Sequence, residues 1–108
     1  MIEYKLENTF LEKLLRDTSE QPTALYLFLD IVRKAAVKNR TFMGREVIVG
    51  QLCYECKTEP QVFGCSRKQW KRDKTLLLDL HYITIDSDNT VATVTVQQYN
   101  DILQFSNP

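Results

Sequence analysis

The stretch that decides the fold is "CYECKTEPQVFGCSRKQWKRDK", residues 53–74. It has two readings. Cys53 and Cys56 have the spacing of a zinc knuckle, with Cys65 and His81 as candidate third and fourth ligands. The same residues also outline two helices joined by a tight turn. Thr58 followed by Gln61, and Ser66 followed by Gln69, each match a capping box, and Pro60 is tolerated in a first turn. Gly64 falls between them, where the end of the first helix calls for a left-handed residue. A very short helix, "GC", and a second helix from Arg67 to Leu80 make a helix-turn-helix outline.

Geometry separates the two. A helix of that length is ~20 Å long, so Cys65 and His81 at its opposite ends cannot meet on one ion. Two cysteines and a turn cysteine fall short of four converging ligands. The thiols are read as small apolar core or turn residues, and neither a metal nor a cofactor is expected.

Working outward, "LENTFLEKLLRD" puts Leu6, Phe10, Leu14 and Leu15 at helical spacing, and "TSEQP" breaks the pattern. Pro22 suits the first turn of the next helix. That helix carries Leu25, Phe28, Leu29, Val32 and Ala36 on one stripe, widened by Tyr26, Leu27 and Ile31, and is expected to close at Lys38. "NRTFMGRE" reads as a loop and "VIVGQL" as a short strand. Downstream, "YITID", "SDN" and "TVATVTV" read as strand, turn and strand, with Ile83, Ile85, Val91, Val94 and Val96 on the apolar positions. The tail "QQYNDILQFSNP" reads as one helical turn anchored by Tyr99, Ile102 and Phe105.

At 108 residues and 44% hydrophobic content, the chain is expected to form one domain, residues 1–108, with a core large enough to need no disulfide or metal. No apolar run approaches the ~20 residues of a membrane span. The N-terminus has no basic-then-apolar signal pattern, and three cysteines is an odd count, so free thiols in a cytoplasmic protein are expected.

Net charge is zero, yet unevenly spread. Residues 1–32 carry three basic and six acidic side chains, and residues 76–108 carry four acidic and none basic. Residues 33–75 hold eleven Lys or Arg against four Asp or Glu, a surplus of seven. Arg67, Lys68, Lys71, Arg72 and Lys74 fall within eight residues, which suits a polyanion on one face. A single histidine, no Gly-rich phosphate loop and no activated Ser or Cys leave nothing from which to assemble an enzyme active site.

The order helix, helix, strand, helix-turn-helix, β-hairpin predicts an α+β fold. It would be a winged helix-turn-helix with an extra N-terminal helix and a two- to three-stranded antiparallel wing sheet. From about Tyr4 to Asp101 the chain resembles the winged-helix N-terminal domain of phage and bacterial replication-initiation proteins, the replisome organisers and DnaD-type primosomal proteins. The pieces that carry the resemblance are "ALYLFLDIVRKAAVKNR", "VIVGQL", Gly64 following it, "SRKQWKRDKTLLLDLHYITI" and "VATVTVQQYNDI". The resemblance implies binding of duplex or single-stranded DNA, self-association as a dimer, and contact with a helicase loader or other replisome protein. The chain departs from the family pattern at Glu59 and Pro60, where small apolar residues are usual, and at Asp73 and Lys74, where Ala and Leu are usual. Family members often continue into a second domain; a chain ending at Pro108 is expected to be an isolated module or a small relative.

At about 100° per residue, Lys68, Lys71, Arg72 and Thr75 lie opposite Trp70, Leu76, Leu77 and Leu80. The first group is expected to enter the major groove, with Ser66, Arg67 and the free N–H groups of the helix start on phosphate. Trp70 is expected to pin the helix to the core. Asp73 falls on the buried side and requires a partner or partial exposure. Arg40 and Arg45 in the loop before the strand, and Lys57, are further candidate phosphate contacts. The tip "DSDNT" carries two aspartates and would repel phosphate. That acidic tip favours an alternative, a protein–protein adaptor using Leu76, Leu78 and the tail with Phe105; a small transcriptional repressor is a further alternative that shares the fold and differs only in the sites it occupies.

Overall fold

Pro22 sits at the first position of α2 (Pro22–Lys34), where a missing N–H breaks no hydrogen bond. The computed structural model describes residues 3–106, and this helix runs through the middle of an α+β fold. It buries Ala24, Leu27, Phe28, Ile31 and Val32. The inward stripe is therefore rotated from the expected one: Leu25 is only half-buried, and Leu29 and Tyr26 are exposed. The helix also stops at Lys34 instead of Lys38. Ala35 turns extended, and Ala36 trades helical bonding for the sheet, its N–H going to Gln51 O at 2.9 Å and its carbonyl accepting from Gly50 N–H at 2.9 Å.

Before it come β1 (Glu3–Leu6) and α1 (Asn8–Asp17). Glu7 caps α1, its two carboxylate oxygens accepting the N–H groups of Thr9 and Phe10 at 2.9 Å each. Those bonds hold the Glu7 carboxyl below its ordinary range. Phe10 packs against Phe28 and Tyr82, and the Tyr82 hydroxyl donates to Asp17 at 2.7 Å. Lys13 reaches the same carboxylate at 3.1 Å, so α1 is tied to the start of the distant hairpin. The Tyr82 bond, assisted by Lys13, lowers the Asp17 carboxyl, while burial and then Asp17 raise the Tyr82 phenol.

After α2 the chain makes a hairpin, β2 (Arg40–Phe42) and β3 (Arg45–Val47), where the sequence reads as a loop. Met43 and Gly44 both have positive φ, 49° and 79°, which closes a two-residue turn. The main sheet is β4 (Gln51–Glu55), β5 (Ile83–Ser87) and β6 (Val91–Val96), antiparallel in the order β4-β6-β5. "VIVGQL" is thus split: Val47 ends β3, and the main-sheet strand begins only at Gln51. Gly50 takes φ 88°, and Tyr99 occupies the space a Cβ there would need. Between β4 and β5 lie a 3-10 turn (Cys56–Thr58), α3 (Glu59–Phe63) and α4 (Arg67–Asp79).

Period-2 alternation sends Leu52, Tyr54, Ala92, Val94, Val96 and Ile83 to the helices. The other face is covered too: Cys53 and Val91 pack with Val47, Ala36 and Phe42 under the β2–β3 hairpin. Val91 therefore faces away from Val94 and Val96, which accounts for its irregular spacing. The chain closes with α5 (Tyr99–Ile102), burying Tyr99 and Ile102, and β7 (Leu103–Ser106), which pairs with β1. The Phe105 side chain lies outside what the structure describes.

Two predictions follow from these packing facts. At Gly50 a new Cβ would fall 2.8 Å from Tyr99 Cβ at a left-handed φ, whereas Gly44 has open space around it. Gly50→Ala should cost about 2–3 kcal/mol in chemical denaturation and Gly44→Ala only ~1 kcal/mol; equal costs would contradict the packing. Because the folded Asp17 pKa is depressed, its stabilisation is present above the unfolded carboxylate value and disappears as pH falls through the folded one. The denaturation midpoints of wild type and Asp17→Asn should differ near neutral pH and converge below about pH 4.

Candidate nucleic-acid interface

Five residues make α3, and Gly64 ends it at φ 64°, ψ 28°, donating its N–H to Pro60 O at 2.9 Å. Ser66 then caps α4, its Oγ accepting from Gln69 N–H at 3.2 Å. The corresponding box at Thr58 does not form. Thr58 closes the 3-10 turn with φ −100° and ψ 8°, and its hydroxyl donates backward to Glu55 O at 2.7 Å. Gln61 is exposed.

What holds α4 is aromatic. Trp70 is 2% exposed and stacks on Phe63 with centroids 4.0 Å apart and planes 7° from parallel. Tyr54 of β4 meets both rings edge-on. The Lys74 ammonium lies 5.4 Å from the Trp70 centroid, so this helix residue shields the indole. Trp70 Nε1–H has no acceptor among the described residues. Leu77 is fully buried, Leu76 and Leu80 half-buried, and Leu78 half-buried against the core. Asp73, the unusual inward residue, is 1% exposed and accepts from Gln21 Nε2–H at 2.6 Å, with Arg72 Nε at 3.6 Å.

Two side chains brace the short α3. Lys34 donates to the Val62 carbonyl and pairs with Asp30 at 2.9 Å, placing a cation at the negative end of α3. Glu59, at the other end, accepts from the Tyr54 hydroxyl at 2.8 Å and pairs with Arg67 at 3.9 Å. Burial, then the Glu59 carboxylate, push the Tyr54 phenol far up.

The candidate contacts divide into two sets. Ser66, Lys68, Lys71, Arg72 and Thr75 all sit exposed on α4, and Ser66, Lys68, Gln69 and Arg72 share one shallow concavity of about 190 Å³. Lys68 and Lys71 have no carboxylate partner among the described residues. Arg72 is 61% exposed but tethered, with a terminal nitrogen on Thr23 Oγ1 at 3.2 Å as well as its contact to Asp73. The Thr75 hydroxyl is turned back onto Lys71 O at 2.8 Å. The second set is charge-paired: Arg67 with Glu59, Lys57 with Glu55 at 3.5 Å, and Arg45 with Asp88 at the tip of the β5–β6 hairpin. Arg40 and Arg45 share the hairpin face that carries buried Val47, so both point toward the sheet, and Arg40 reaches Lys34 O at 3.5 Å.

Asp88 also builds its own turn, Oδ1 accepting Thr90 N–H at 2.7 Å and Val91 N–H at 2.8 Å. Neither the Arg45–Asp88 pair nor the Glu59 bridge carries a local sequence signal. The thiols lie on separate elements: Cys53 in β4 against the Thr93 hydroxyl at 3.1 Å, Cys56 in the 3-10 turn, and Cys65 before α4. Burial, then the Asp73 carboxylate, raise the Cys65 thiol. Among the described residues no group of three or more His, Cys, Asp or Glu is arranged to hold a metal, and no helix is long and apolar enough to cross a membrane.

Ser66→Ala should destabilise the protein by ~1 kcal/mol in urea, and Ser66→Asp should retain most of the wild-type midpoint; a neutral Ser66→Ala would remove the capping argument. Compared with known proteins, the chain matches no family model, no curated protein and no solved structure, so the functional reading rests on its own geometry.

Proposed function

We propose that this chain is a non-enzymatic winged-helix DNA-binding module of replication-initiation type, with the first turns of α4 entering the major groove. The observation that carries the reading is the pair Lys68 and Lys71, exposed and without carboxylate partners on a helix whose opposite side is fixed by Trp70. Support also comes from the element order around it. A helix and a strand precede α3 and α4, and β5 and β6 follow as the wing of a sheet ordered β4-β6-β5. The N–H groups at the start of α4 that the Ser66 cap leaves unused would add a phosphate contact.

The wing contributes little attraction. Its tip carries Asp86 and Asp88, and Arg45 neutralises one of them instead of meeting phosphate. Contacts by Arg67, Lys57 and Arg45 would each require a carboxylate to be displaced. Binding is thus concentrated on α4. Self-association and a helicase-loader partner belong to the same reading. The charge pairing of the wing favours one other function, an adaptor of the same shape that makes protein contacts only.

The discriminating experiment is a fluorescence-anisotropy titration with duplex and single-stranded oligonucleotides over a salt series. Lys68→Ala/Lys71→Ala, which leaves Arg72 on Asp73, should weaken binding at least about tenfold and reduce the log–log salt slope by about 2. Absence of salt-sensitive binding in the wild type would replace the DNA reading with the adaptor, and unaltered affinity in the double variant would reject α4 as the contact surface.

A further inference from the structure

On the side of α4 that faces α2 there is a cleft of about 420 Å³, whose lining includes Tyr26, Leu27, Asp30, Val62, Cys65 and Asp73. Its chemistry is not that of a solvated surface groove. Asp73 is 1% exposed, and both its contacts, Gln21 Nε2–H at 2.6 Å and Arg72 Nε at 3.6 Å, fall on Oδ1. Oδ2 has no donor among the described residues. That oxygen is left as the carboxylate's open acceptor, with the cleft beside it, and favours a cationic donor. No lysine of the cleft supplies one, because the Lys34 ammonium is engaged by Asp30 and the Val62 carbonyl. The rim adds apolar surface: Tyr26 is 69% exposed and Leu29, one helical turn on, is 37% exposed.

We propose that this cleft is a docking site for an arginine side chain presented by a partner polypeptide. The guanidinium donates to Asp73 Oδ2 and lies against the Tyr26 ring, and an apolar neighbour of that arginine rests on Tyr26 and Leu29. A planar, weakly hydrated guanidinium can stack on a ring while donating in its own plane, which a strongly hydrated ammonium cannot. The cleft's lining carries two carboxylates, Asp30 and Asp73, against one ammonium, Lys34, which favours a cationic side chain. The site does not depend on the DNA-binding reading and tests separately from it.

The experiment is a two-dimensional amide NMR titration of the full chain with acetyl-Leu-Arg-Leu-amide, and with its Leu-Lys-Leu and Leu-Leu-Leu counterparts. The arginine peptide should shift the amides of Gly64, Cys65, Gln69 and Asp73 saturably. Asp73→Asn, which keeps the Gln21 bond, and Tyr26→Ala, at an exposed position, should each weaken that response at least about tenfold. Absent shifts, equal shifts with the lysine or leucine peptide, or a response unchanged in Tyr26→Ala would overturn the proposal. The same amides moving on dilution of the protein alone would assign the occupant to a second copy and overturn the foreign partner.

Discussion

The stack of Trp70 on Phe63, closed edge-on by Tyr54, is the contact on which the rest of the molecule depends. It joins three elements: α4 through Trp70, the short α3 through Phe63, and β4 through Tyr54. A five-residue helix has little stability of its own, since helices under about a dozen residues are marginal without tertiary packing. Its position comes from that ring stack on one side and from Lys34 and Glu59 at its two ends. Truncating a buried aromatic of this size typically costs 3–5 kcal/mol, a large part of the stability of a domain of this length. With the indole inward, the helical period leaves Lys68 and Lys71 no direction but outward. The cationic surface is a consequence of the core.

Charge pairing then decides which cations remain available. The carboxylates of the basic middle segment are not scattered among its lysines and arginines. Glu55, Glu59 and Asp73 take Lys57, Arg67 and Arg72, and Asp88 from the far hairpin takes Arg45. Exposed pairs of this kind contribute little to stability, but they lower the field their members project. A chain with zero net charge can therefore still carry a local positive field on one side of α4.

Much of this was legible in the sequence because it is written in local terms. Pro22, Gly64 and Ser66 act on their own backbone, and all three do what their residue types favour. The two-residue period marked β5, and the inward Trp70 followed from helical spacing alone. The misreadings at Ala36 and Gly50 come from a distant partner, and that at Thr58 from a competing carbonyl three residues back. Ala36 leaves the helix for Gln51, Gly50 bends around Tyr99, and Thr58 turns back to Glu55 where a 3-10 turn precedes the helix. Met43–Gly44 turns a hairpin without the Asn or Asp that signals one. The candidate site divides along the same line. Helical spacing located Ser66, Lys68, Lys71, Arg72 and Thr75 together, but nothing near Arg45 in the chain announced that Asp88 would claim it.

Asp73 shows how one inward polar residue can link these levels. A helix facing a core does not tolerate a bare carboxylate, so the fold supplies Gln21 from the segment before α2 and draws Arg72 across to Thr23. The result fixes the angle between α2 and α4 through polar contacts where an alanine or leucine would have used packing alone. Polar contacts differ from packing in being directional and in leaving acceptors over. That leaves an open cleft beside the α2–α4 junction, and Arg72 is held toward the body of the protein through Asp73 and Thr23. The departure from an apolar helix face thus shapes both surfaces of α4: it restrains one cation on the outer side and opens a recess on the inner one.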